Sequence, residues 1–135
     1  MYNVIKGSEI MDSCYTYFAV IYKEDNFNLE EFVKNLNLKD YTIKVFSDRK
    51  KIEIGYNDKF NIDINFMLRD TLKDLLGKET YLLEMKEKYN LEYYLERVLY
   101  LKKKAGLVHP ILGLDNDIVE FLYKTKTIDD LDYYI

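Results

Sequence analysis

The run Ser13–Lys23 (SCYTYFAVIYK) does most to limit what this chain can fold into. Seven of its eleven residues are β-branched or aromatic, so apolar side chains fall on both faces of an extended segment. A strand of that kind is expected at the centre of a sheet, covered on each side. Its longest uncharged stretch, Ser13–Tyr22, is about half of the roughly 20 residues that a membrane-crossing helix requires. The rest of the chain has to supply neighbours for this strand and layers to cover it.

Those partners are written in two alternating periodicities. Asn28 and Glu31 have the spacing of a capping box, and Leu29, Phe32, Val33 and Leu36 follow at helical intervals, which predicts a helix over Asn28–Asn37. Tyr41, Ile43 and Val45 alternate with Thr42 and Lys44, so Tyr41–Phe46 is expected as a strand, ended by a turn at Ser47–Arg49. Ile52, Ile54 and Tyr56 alternate again, as do Phe60, Ile62, Ile64 and Phe66. A turn at Asn57–Asp58 predicts a hairpin between these two runs.

The pattern changes at Asp70. Leu72, Leu75 and Leu76 have helical spacing with Gly77 at a C-terminal cap, and a second helix is expected over Lys78–Lys88 with Leu82, Met85 and Tyr89 on one face. Leu91–Lys102 fits either period. Its aromatic content, the break at Asn90 and the Ala105–Pro110 loop favour a strand. Asp115 caps a helix bearing Ile118, Val119 and Leu122, and Ile128, Leu131 and Tyr133 belong to a closing strand. The sum is an α+β fold, a mainly antiparallel sheet with helices packed on it as a two-layer sandwich. All 135 residues are expected to form a single domain, in which residues 1–12 are a candidate N-terminal extension.

Charge and chemistry exclude several classes. A net charge of −4 disfavours a nucleic-acid binder, since phosphate neutralisation supplies most of that affinity. The one basic run, Lys102–Lys104, is expected as a solvated strand end. Residues 1–12 lack the basic start and apolar core of a secretory leader, and the lone Cys14 sits in an apolar run, so a cytoplasmic protein with a buried thiol is expected. With His109 as the only histidine, no His-His or His-Cys metal set forms. Asp115, Asn116 and Asp117 begin like a calcium loop but lack its glycine and its closing glutamate. Phosphate loops, nucleophile elbows and paired cysteines are absent. No enzyme, no cofactor, no metal and no membrane partner is expected.

What remains is the ending. Residues 105–135 carry Asp115, Asp117, Glu120, Asp129, Asp130 and Asp132 against Lys124 and Lys126, while the first 104 residues hold 18 charges of each sign. All of the net charge therefore lies in the last quarter, beside Tyr133 and Tyr134 in a chain of 14 tyrosines and no tryptophan. Tyrosine suits half-exposed sheet positions and interfaces. Asp115, Asp117, Glu120, Asp129, Asp130, Asp132, Tyr133 and Tyr134 are the candidate protein-binding residues.

The early strand Tyr15–Tyr22, the leucine-spaced helices at Leu72–Leu76 and Leu82–Tyr89, and the ending also carry a resemblance. In that ending Pro110, Ile111, Leu112, Leu114, Ile118, Phe121 and Leu122 precede Asp130–Tyr134. Together they look like a family of short bacterial proteins, the domain-of-unknown-function family four-two-seven-nine. The resemblance implies an α+β fold from about Ser13 to Ile135 and supplies no activity. The expected function is a non-enzymatic protein that binds and blocks another, as an immunity protein blocks a toxin or an enzyme with a basic cleft. The alternative is a small-molecule-binding module with its pocket between sheet and helices.

Overall fold

The computed structural model describes residues 13–38, 43–60, 64–100 and 114–134, apart from the side chains of Lys59, Phe60, Ile64, Asn65 and Tyr133. Expectations placed on residues 1–12, Tyr41, Thr42, Ile62, Lys102–Lys104 and the loop holding His109 fall outside these residues. The strands are β1 (Ser13–Ile21), β2 (Ile43–Phe46), β3 (Lys51–Phe60), β4 (Glu92–Tyr100) and β5 (Ile128–Tyr134). The helices are α1 (Leu29–Leu36), α2 (Ile64–Leu72), α3 (Glu79–Tyr89) and α4 (Asn116–Thr125). The sheet order is β2-β3-β1-β4-β5, which puts the apolar run at the centre. Every neighbouring pair is antiparallel except β4 and β5. That parallel pair follows from the helical crossover α4, which returns the chain to the end of the sheet where β4 began. The fold is α+β, and among the described residues no helix is long and apolar enough to cross a membrane.

Alternation along β1 sorts its side chains. Cys14, Thr16, Phe18 and Val20 are buried on one face, and Tyr15, Tyr17, Ala19 and Ile21 take the other. All four described helices lie over the first face. The Phe18 ring meets Phe121 of α4 at 6.1 Å, and Tyr93, opposite Val20, donates its hydroxyl to the Leu82 carbonyl of α3 at 2.7 Å. Phe32 of α1 and Met67, Leu68 and Leu72 of α2 complete the same cluster. Each of these fully buried side chains stabilises the fold by roughly 1.5–3 kcal/mol relative to its exposed state. Cover on each side of β1 was expected. The described helices cover one face, and tyrosines occupy the other.

The expected hairpin at Asn57–Asp58 does not form. Strand β3 runs through both residues, with Asn57 opposite Thr16 and Asp58 opposite Tyr15. The irregularity lies earlier, where the register shifts between Thr16 and Phe18 around Gly55, whose φ is +71°. A bulge there lets a long strand bend without ending. The Thr71 hydroxyl donates to the Gly55 carbonyl at 2.8 Å and, its proton so used, accepts from Thr16 at 2.7 Å. A Cβ at residue 55 would stand 2.6 Å from the Thr71 carbonyl oxygen, so helix α2 approaches the sheet this closely only over glycine. Phe66, expected in the second hairpin strand, lies exposed on α2. Leu68, Thr71, Leu72 and Leu75 continue a helical spacing that the alternation of Phe60–Phe66 had masked, so α2 begins before Asp70.

Other ends follow their local chemistry. Asn28 accepts from the Glu31 amide at 3.0 Å, and Asn37 closes α1 in the left-handed conformation. Leu75 and Leu76 turn back onto the Leu72 carbonyl, and Gly77 at φ +96° releases the chain into α3.

Candidate functional site

Of the eight candidate acids and tyrosines, the seven whose side chains are described do not share one surface. Asp115 and Asp117 flank the start of α4 and clamp Arg69 of α2. Its guanidinium reaches Asp115 at 2.9 Å and Asp117 at 2.7 and 2.9 Å. Asp115 takes the N-cap position, but its side chain makes no capping bond because Arg69 holds it. Asp117 instead accepts from the Ile118 amide at 3.0 Å, and Arg69 beside it holds its carboxyl below the usual range. Glu120 pairs with Lys124 one helical turn on. These three acids are internally committed.

Strand alternation divides the remainder. Asp129 lies on the helix-covered face and accepts from Arg97 of β4 at 2.9 and 2.5 Å. Arg97 is only 4% exposed while the Asp129 side chain is 28% exposed, so this pair is a part-buried anchor between β4 and β5. Asp130 and Asp132 point to the opposite face, where the register sets Asp130 beside Glu96. Carboxylate oxygens of Glu96, Asp130 and Asp132 lie within 4.8 Å of one another. Among the described residues no cation pairs with Asp130 or Asp132. Burial first, and the Asp130 charge second, push the Glu96 carboxyl up to about 7, against a pull from Lys51. Tyr134 joins this face and stacks on Tyr100 at 5.1 Å. The Tyr133 side chain lies outside the described residues.

Sequence reasoning missed what surrounds this trio. Tyr15 and Tyr17 of β1 stack on Tyr56 of β3 at 5.6 and 6.2 Å, and Tyr15 approaches Tyr100 at 6.3 Å. A row of phenols thus crosses the sheet from β3 to β5. Burial and neighbouring phenols push the Tyr15 hydroxyl up to about 12, so it stays neutral and keeps its proton to donate. At the far side Lys44 lies 4.1 Å over the Tyr56 ring, and Lys51 pairs with Glu53 at 3.1 Å. The i, i+2 spacing of Tyr15 and Tyr17 put them on one face. Only the register brings them to Tyr56 and Tyr100.

Three carboxylates beside aromatic rings can hold a lysine ammonium, an arginine guanidinium or a hard cation with oxygen ligands. They present no nucleophile. Cys14, whose thiol burial pushes up to about 11, faces the helices instead. The described sheet–helix interface is filled by the core, and a groove of about 640 Å³ lies between α3 and α4 beside Leu83, Leu122 and Tyr123. No protein-family model matches this chain, and neither a curated protein nor a solved structure matches it.

Proposed function

We propose that this chain is a non-enzymatic binding protein that docks a basic surface of another protein onto the tyrosine-lined face of its sheet. A toxin or other enzyme with a basic cleft, blocked as an immunity protein blocks its target, is the kind of partner that face fits. The observation that carries this reading is the trio Glu96, Asp130 and Asp132 at the end of a stacked tyrosine row, without a pairing cation among the described residues. Like charges held together destabilise the free protein, and a partner's cations relieve them on docking. The phenols supply flat apolar area with polar tips, the chemistry enriched at interface hot spots.

The site is smaller than the C-terminal surface first expected, and it draws on β1, β3 and β4 as well as β5. The small-molecule alternative has less support, because the space it needs between sheet and helices is occupied among the described residues. To test the docking reading, the partner that copurifies from the native host is identified and its association rate measured at low and high salt. Wild type is compared with the variant carrying Asp130→Lys and Asp132→Lys. A rate that falls steeply with salt in wild type, and at least tenfold on substitution, supports electrostatic docking. Equal rates in both proteins would remove it.

A further inference from the structure

The two edges of the sheet are unequal. At one end β2 has four residues among those described and carries Lys44, a charged edge of the kind that resists further pairing. At the other, β5 spans seven residues and pairs only with β4 among the described residues. Alternate N–H and C=O groups of β5 therefore point away from the sheet and have no backbone partner among the described residues. Ile128 and Tyr134, at its two ends, are 55% and 51% exposed, and Asp132 between them is exposed as well.

Side chains decide which strand this ladder accepts. On the tyrosine face an added strand sets alternate residues about 5 Å from Asp130 and Asp132. A second copy of β5, antiparallel to the first, brings aspartates against aspartates, which disfavours self-pairing. A strand with lysine or arginine at every second position places its cations beside Asp130, Asp132 and Glu96 instead. Its intervening side chains then fall on the face of half-buried Leu131, next to Asp129, which Arg97 already neutralises.

We infer that β5 is a strand-addition edge that takes an extended segment of the partner with basic residues at alternate positions. This rests on the proposed docking function and specifies how the partner engages. The experiment uses the full chain and two blocked synthetic peptides as long as β5. One alternates lysine with valine, and the other is the same peptide N-methylated at every residue, which keeps the charge and removes the backbone donors. Binding is followed by fluorescence anisotropy and by hydrogen exchange of the β5 amides. The unmodified peptide is expected to bind and to slow exchange along β5. N-methylation should abolish that protection and weaken binding at least tenfold. Asp130→Asn together with Asp132→Asn should weaken the unmodified peptide about tenfold, as the loss of two cross-strand ion pairs does.

Equal binding of both peptides would overturn strand addition while leaving face docking in place. Absence of binding by either peptide would also overturn it, and the salt dependence of the copurified partner would then judge face docking alone. A dimer in sedimentation whose β5 amides are protected without peptide would show the edge filled by a second copy, and would overturn it as well.

Discussion

Replacing Glu96 by Gln should stabilise this protein at alkaline pH and leave it unchanged in acid. The carboxyl's ordinary value near 4.5 is pushed up to about 7 in the folded chain, by burial and by Asp130. Because the value is raised, the folded state holds a proton between those pH values that the unfolded chain has released. Stability therefore falls as pH rises through this window, in the opposite sense to a salt-bridged carboxylate. Each pH unit inside it corresponds to about 1.4 kcal/mol, an upper bound of roughly 3 kcal/mol across the window. Glu96 is half-buried, and solvent screening reduces the expected penalty to roughly 1–2 kcal/mol above pH 7.5. Gln has nearly the same shape and no charge. Urea denaturation of both proteins from pH 4.5 to 8.5 should give curves that coincide in acid and separate by that amount in base. A constant offset, or a Gln variant less stable at pH 8.5, would refute the claim that the three carboxylates repel one another.

Three further outcomes follow from neighbouring geometry. Asp129→Ala should destabilise by about 2 kcal/mol because it removes the carboxylate that accepts two hydrogen bonds from the buried Arg97 guanidinium, whereas Asp130→Asn, one residue on but across the sheet, should be neutral or stabilising at pH 8; equal losses in denaturant midpoint would contradict the face assignment. Gly55→Ala should cost about 2–4 kcal/mol, from a Cβ driven onto the Thr71 carbonyl and a left-handed backbone, and an unchanged midpoint would show that α2 is free to move away. Cys14 should resist alkylation at pH 8 in the native protein and react fully in urea, since burial pushes its thiol up to about 11; native reactivity equal to the unfolded rate would place it at the surface.

Much of the architecture was legible from local pattern. The β1 run, the Asn28 cap with Glu31, and the helix ended by Asn90 carry their own signals, and each formed within a residue or two of expectation. The aromatics of Leu91–Lys102 favour a strand, and Tyr93, Leu95 and Leu99 sit buried on one side of β4. The failed hairpin shows where local pattern misleads. Asn57 and Asp58 are good turn residues, but β1 offers both a ladder partner, and Asp70 takes the Asn57 amide at 3.0 Å. Pairing with the central strand outweighed turn propensity.

The site was legible only in part. The acidic ending points to Asp130, Asp132 and Tyr134, yet their sequence neighbours Asp115, Asp117, Glu120 and Asp129 are held by Arg69, Lys124 and Arg97. Sequence by itself determined that the chain alternates strand and helix periods around one apolar central strand, and that Asp129 and Asp130 face opposite ways. Local sterics and side-chain period suffice for that. Which acids are neutralised and which stand beside a tyrosine row was decided by tertiary structure alone. Ion pairs and ring stacks depend on the register between strands distant in sequence, and a shift of one residue in β5 would exchange the two sets.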